Sequence, residues 1–182
     1  ELGRFLGEAA AGIAVADFDR NGWPDIFVSG YFEPNRIYFN QGNGQFQQSA
    51  AVNLTLPGSK CSVAAAADYD NDGWVDIYIG CRDQSNALFR NIGGTGFVNM
   101  ISPEIDHAPV GGNSPRTDAV AWGDVDGNGL LDLFIGIWID QDNPDLNNPV
   151  NINRIVLQQS PGVWLNVTAN YVGAERAKLA RN

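Results

Sequence analysis

The sequence predicts an all-β protein made of β-propeller blades, with three four-stranded antiparallel units in one region covering residues 1–182. Three observations lead there. An acidic nine-residue loop recurs three times, short apolar runs of strand length flank each copy, and no long helical pattern interrupts them.

The repeat sets the elements in order. The loops read DFDRNGWPD from Asp17, DYDNDGWVD from Asp68 and DVDGNGLLD from Asp124, starting 51 and then 56 residues apart. Before each lies a small-residue run (12–16, 63–67 and 118–122), read as a first strand whose Ala and Gly allow close packing near a crowded central axis. After each lies a β-branched and aromatic run, Ile26 to Val28, Ile77 to Ile79 and Leu133 to Ile137. These runs are apolar on both faces, as a strand buried between neighbouring blades requires. Asn35 and Asn86, ten residues beyond Asp25 and Asp76, open a third run; in the last copy this step waits until Asn153, so about eleven residues are inserted near Asp140 to Val150. Gly-rich turns at 41–44, 92–96 and 160–162 then lead to an aromatic residue, Phe46, Phe97 or Trp164, on a fourth strand. Asn43-Gly44 is a hairpin-turn pair. Blades are thus expected near 9–50, 60–102 and 115–170, with 171–182 as a C-terminal tail. A β-helix has a far shorter period.

Charge is concentrated in the same loops. The 182 residues carry 21 acids against 11 bases, a net charge of -10. Ten of the acids lie in the three loops, and the remainder balance the bases. Such a surface does not suit nucleic acid or an anionic membrane, and no apolar run reaches the roughly 20 residues of a membrane span. Crowded carboxylates repel one another unless something neutralises them.

The loop pattern D-x-D-x-[DN]-G-x-x-D suits calcium, which takes about six to eight oxygens from alternate residues of a tight loop. Positions one, three, five and nine offer side chains, and position seven offers a backbone carbonyl. The expected ligand sets are Asp17, Asp19, Asn21, the Trp23 carbonyl and Asp25; Asp68, Asp70, Asp72, the Trp74 carbonyl and Asp76; and Asp124, Asp126, Asn128, the Leu130 carbonyl and Asp132. Formal loop charges of -3, -4 and -3 lead us to expect the tightest binding at the second. These are not EF-hands, because position twelve is Val28, Ile79 or Ile135 within a strand run. Magnesium keeps its waters and demands strict octahedral geometry. Zinc is disfavoured by a single His and no Cys-rich spacing. Asx-type turns without metal are the alternative, against which stands the threefold recurrence of Gly at six and Asp at nine.

The segments GIAVADFDRNGWPDIFV, AAAADYDNDGWVDIYIG and AVAWGDVDGNGLLDLFIG resemble the FG-GAP/VCBS repeat family, the calcium-bearing β-propeller of integrin α-chain heads and many secreted proteins. PNRIYFNQGNGQF and NALFRNIGGTGF look like the remainder of such blades, closest to the cartilage-acidic-protein/ASPIC-UnbV type. The resemblance covers roughly residues 9–172. It implies calcium in the loop joining strands one and two of each blade, and extracellular adhesion, ligand binding or scaffolding more often than catalysis.

Closed propellers use about four to eight blades, so three acidic loops imply a fragment of a longer protein or a subunit that assembles with copies of itself into a ring or fibre. Cys61 and Cys81 bracket the second loop and fall nearly opposite in a hairpin centred on it; the readings are a disulfide or two buried thiols. A disulfide implies an oxidising, extracellular or cell-surface location. Asn53 and Asn166 begin N-glycosylation sequons.

Other chemistry is sparse. His107 lies alone between Pro103 and Pro109 and reads as a surface residue. Asp140, Asp142 and Asp145 in the insertion read as a solvated loop, Trp23 and Trp74 as packing against the next blade, and Ala174 to Arg181 as a short basic helix or a frayed end. No catalytic pair stands outside the loops. The function expected is a non-enzymatic extracellular calcium-binding module for adhesion, scaffolding or self-assembly, with a protein or glycan partner or further copies of itself. The alternatives are a lectin-like propeller and an accessory domain of a secreted hydrolase or lyase.

Overall fold

The computed structural model describes residues 12–49, 54–56, 60–106, 116–138 and 153–168. Twelve strands form three sheets. The first holds β1 (Ile13–Ala16), β2 (Asp25–Val28), β3 (Arg36–Asn40) and β4 (Phe46–Gln48). The second holds β5 (Cys61–Ala67), β6 (Asp76–Cys81), β7 (Ala87–Asn91) and β8 (Phe97–Asn99). The third holds β9 (Arg116–Gly123), β10 (Asp132–Trp138), β11 (Arg154–Ser160) and β12 (Val163–Asn166). Each sheet is an antiparallel meander whose spatial order follows the chain.

Register places equivalent residues alike in each sheet. Ala16 faces Asp25, Ala67 faces Asp76 and Gly123 faces Asp132, so every acidic loop closes a β1–β2-type hairpin. At the opposite end an asparagine closes the next hairpin. The carboxamide oxygens of Asn35, Asn86 and Asn153 accept from the amides of Gly30, Cys81 and Ile137 at 2.8, 2.9 and 2.8 Å. That bond explains why Asn opens the third run of each repeat. An Asn oxygen satisfies an amide that the strand ladder has left behind.

Successive sheets face one another, and their first strands lie side by side, β1 against β5 and β5 against β9. The Cys61 amide bonds to the Gly30 carbonyl at 3.3 Å, and Ser29 Oγ donates to the Cys61 carbonyl at 3.0 Å. Isolated bridges pair Tyr31 with Lys60 and Arg82 with Arg116 at the two junctions. The side chains of β6 are buried along its whole length, because its sheet is covered on both faces. One core lies between the first two blades, built on Phe27, Ile37, Ile77, Ile79 and Phe89. A second lies between the last two, built on Tyr78, Leu88, Leu133, Ile135 and Val156. This stacking of four-stranded meanders, with cores between the sheets, is the architecture of β-propeller blades.

Position two of the acidic loop links one blade to the next. Phe18 is 0% exposed and meets the β8 ring of Phe97 edge-on at 6.3 Å. Tyr69 is 2% exposed and stacks at 5.9 Å on Trp164 of β12 and at 6.3 Å on Trp122 of β9. The fourth-strand aromatic noted in each repeat is therefore a socket for the preceding blade's loop residue. Among the described residues the series is unfinished at both ends. Phe46, the first socket, is exposed, and Val125, the last plug, is 50% exposed. Ile13 and Val15, the counterparts of half-buried Ala64 and Ala66 on β5, are exposed too.

Cys61 and Cys81 are joined by a disulfide at directly paired positions of β5 and β6, with Cα atoms 3.9 Å apart. The bond ties the second blade's hairpin at the end remote from its acidic loop. Asn53, His107, the insertion with Asp140, Asp142 and Asp145, and the tail 171–182 lie outside the described residues. Among the described residues, no helix is long and apolar enough to cross a membrane.

Truncating a buried ring leaves a cavity. Phe18→Ala should lose about 3–5 kcal/mol in a urea titration, whereas Val125→Ala should change stability by less than about 0.5 kcal/mol. Equal losses would contradict the plug assignment. In mass spectrometry the denatured chain should gain two alkyl labels after reduction and none before it; labels without reduction would contradict the disulfide.

Candidate metal centres

Each acidic loop gathers its carboxylates into one cluster. Asp17, Asp19 and Asp25 each offer an oxygen within 4.8 Å of the others, as do Asp68, Asp70 and Asp76, and Asp124, Asp126 and Asp132. Two residues per loop adopt left-handed backbone. At position six these are Gly22, Gly73 and Gly129, with φ of 89°, 86° and 84°. Gly is the residue that takes this conformation at no steric cost. At position four they are Arg20, Asn71 and Gly127, with φ of 59°, 57° and 76°. The sequence pattern showed the need at six only, because two of the three loops accept a side chain at four.

The position-nine carboxylate is the anchor. Asp25 Oδ2 accepts the Phe18 amide at 2.8 Å and Oδ1 accepts the Asn40 amide at 2.8 Å. Asp76 does the same with Tyr69 and Asn91 at 3.2 and 2.7 Å, and Asp132 with Val125 and Gln158 at 2.8 Å each. All three are buried. One oxygen thus holds the loop and the other holds the third strand. Position one faces the loop's own backbone. Asp17 Oδ2 takes the Gly22 amide at 2.8 Å, Asp68 Oδ2 the Gly73 amide at 2.8 Å, and Asp124 Oδ2 the Gly129 amide at 2.9 Å.

Position five divides the loops into two kinds. Asn21 donates from its amide to the Asn40 carbonyl at 3.0 Å, and Asn128 donates to the Gln158 carbonyl at 2.8 Å. Asp72 has no proton to donate there. Instead Arg90 reaches over from β7, with Nη2 2.9 Å from Asp72 Oδ2 and Nε 2.6 Å from Asp70 Oδ2. The second contact is an ion pair by proximity and not an aligned hydrogen bond. Sequence reasoning passed over Arg90, whose counterparts in the other blades are Phe39 and Leu157.

The donor sets fit a hard divalent cation. They consist wholly of carboxylate and amide oxygens, the ligand class calcium prefers. Each carboxylate oxygen bonded to an amide keeps a second lone pair. In the second loop, Asp68 Oδ1 is buried with no hydrogen-bond partner. Buried polar atoms rarely lack a partner, and a cation would satisfy this one. Electrostatics agree. Burial pushes the Asp76 carboxyl up to about 7, against the lowering effect of the Asn91 and Tyr69 amides, with Asp70 and Asp72 adding repulsion. Burial raises Asp25 for the same reason, opposed by the Asn40 and Phe18 amides. A cation at these oxygens would reverse that shift.

The loops also touch one another. The Arg20 guanidinium sits 4.2 Å over the Trp74 ring, and Asn71 donates to the Gly129 carbonyl at 3.1 Å. Asn91 Nδ2 donates to the Phe18 carbonyl at 2.8 Å, from the second blade back to the first loop. Trp74 therefore packs toward the preceding blade, while Trp23 lies half-exposed over its own turn at Gly42. The sequon asparagine Asn166 is exposed, and its side-chain oxygen accepts the Thr168 amide at 3.1 Å.

Comparison with known proteins agrees with this geometry. The FG-GAP-like repeat family model matches residues 17–79 and 68–135. Cartilage acidic protein 1 of Mus musculus is 32% identical over 134 residues, covering 68% of this chain and 20% of its own length; the Homo sapiens protein gives the same figures. Integrin alpha-7 of Homo sapiens is 31% identical over 144 residues, covering 70% of this chain and 12% of its own length. The chain thus spans about a fifth of the cartilage acidic proteins it matches.

The raised carboxyl of Asp76 has a consequence for pH. The folded chain keeps a proton up to about 7 that the unfolded chain loses near the ordinary value of 3.8. Across that window the unfolded state binds fewer protons, so stability falls as pH rises. In EDTA the melting temperature should therefore fall between about pH 5 and about pH 7.5, and saturating calcium should reduce or remove the fall by holding the carboxylate ionised. Identical pH profiles with and without calcium would contradict this account.

Proposed function

The chain belongs to the FG-GAP-like repeat family, and from that premise we propose that it is a non-enzymatic, extracellular, calcium-stiffened propeller segment that serves adhesion, scaffolding or self-assembly. The observation that carries the reading is the threefold recurrence of a carboxylate cluster, beside which, in the first two copies, a ring plugs the following blade. Calcium bound at positions one, three, five and nine would lock the loop that aims Phe18 or Tyr69 into its socket. The ion would thus act on inter-blade packing and not on a reaction. The predicted ligands, from Asp17 through Asp132, belong to this proposal, with the carbonyls of Trp23, Trp74 and Leu130 completing the sets.

The unfinished ends indicate what the segment joins. Among the described residues, Val125 is a plug without a socket and Phe46 a socket without a plug, and apolar Ile13 and Val15 are exposed on the same blade as the latter. These ends are complementary in kind, so further blades of a longer polypeptide, or another copy arranged head to tail, would complete them. The Cys61–Cys81 disulfide supports an oxidising location. There, millimolar calcium suits loop sites of modest affinity, and exposed Asn166 would be available to glycosylation. A protein or glycan partner would bind the assembled faces.

Native mass spectrometry and thermal melts test the reading together. Wild type should take up three calcium ions, and its melting temperature should rise on going from EDTA to millimolar calcium. Asp19→Ala should remove one ion and leave two. No uptake and equal melting temperatures would refute structural calcium.

A further inference from the structure

We propose that Arg90 is a built-in counter-ion of the second loop, which competes with the cation for Asp70 and Asp72 and makes that site the weakest of the three. The inference rests on the calcium reading above and concerns a residue that this reading does not use.

The loop carries one more acid than its neighbours, because Asp72 stands where they have Asn21 and Asn128. A base also reaches it from β7, because Arg90 stands where the other blades have Phe39 and Leu157. The two exceptions meet in space. Arg90 Nη2 lies 2.9 Å from Asp72 Oδ2, and its Nε lies 2.6 Å from Asp70 Oδ2. Those carboxylates occupy positions three and five, from which the ion would draw two of its ligands. A guanidinium seated on these carboxylates repels an incoming divalent cation and takes lone pairs that the cation would use. With Arg90 counted, the charge of the second loop's extra carboxylate is offset. The advantage expected from its extra aspartate is thereby cancelled, and calcium must also displace an ion pair that, among the described residues, the other loops lack.

The same pair does structural work in the absence of the ion. In the first and third blades the position-five amide bonds the third strand directly. In the second blade Arg90 spans that gap from the third strand to the loop. The blade's hairpin is then fastened at both ends without metal, by Arg90 at the loop and by Cys61–Cys81 at the far end. The Arg90 side chain is 37% exposed, so it can swing into water when calcium enters. The middle blade, covered on both faces, would be the calcium-independent core, and the flanking blades the calcium-responsive ones.

Calorimetric calcium titration of wild type, Arg90→Gln and the double variant Asp72→Asn/Arg90→Leu tests this. Wild type should show one site weaker than the other two. Arg90→Gln should strengthen that site by roughly tenfold or more, since a positive charge leaves the ligand oxygens, and should lower the melting temperature in EDTA. The double variant copies the residue pairing of the third blade, so it is the safer of the two to fold. Its second site should titrate as one class with the others. If Arg90→Gln and the double variant leave all three affinities unchanged or weaken the second, the counter-ion role is overturned while the calcium reading stands. If wild type binds no calcium, the parent reading fails and this one fails with it.

Discussion

The buried aspartate at position nine is the interaction on which the rest of the structure depends. Asp25, Asp76 and Asp132 are withdrawn from water at the junction of three strands. Taking an ionised carboxylate out of water is costly unless its oxygens are satisfied. In each blade two backbone amides meet it, one from the acidic loop and one from the third strand. The bonds set where the loop turns relative to the sheet. They do not relieve the burial fully, as the raised carboxyls of Asp25 and Asp76 show. A cation held by the same oxygens would remove that residual cost.

Each loop's second residue carries the consequence outward. Phe18 and Tyr69 donate their backbone amides to the buried aspartates and send their rings into the next blade. A loop that loosens would release both bonds and ring together. The cores lie between sheets and not within one, so a blade gains most of its stability from its neighbours. This explains how three blades with small individual cores make a continuous structure, and why Ile13, Val15, Phe46 and Val125 are exposed only at the ends of the series. In the middle blade the corresponding Phe97 and Tyr69 are buried and Ala64 and Ala66 half-buried.

Much of this was legible in the sequence because the repeat supplies three readings of each position. The strands followed from alternation and runs, and the acidic loops from spacing. The opposed cysteines followed from counting outward along a hairpin, and the structure pairs them directly. What stayed hidden depended on contacts between repeats. The plug at position two reads as Phe, Tyr and Val, an ordinary apolar set, and only stacking shows that it crosses to the next blade. Trp74 likewise turns toward the preceding blade, where Arg20 covers it, a direction that no pattern within a single repeat can specify. The left-handed position four is filled by Arg, Asn and Gly, so no residue preference marks it.

Arg90 shows the same limit from the side of charge. Counting acids within the loop ranked the second site highest, since formal charge is additive along the sequence. Electrostatics acts through space, and the nearest cation to Asp70 and Asp72 comes from a strand eighteen residues downstream of Asp72. The sequence did hold a trace of it. One position departs from Asn to Asp in the loop, and one departs from an apolar residue to Arg on β7, in the same repeat. Each change alone would unbalance a crowded polar site. Their coincidence in one blade of three is what a compensated pair requires, and the 2.9 Å contact supplies the geometry. Repeats that differ at two positions at once are thus informative about contacts, because their sister copies show what each position holds when the contact is not made.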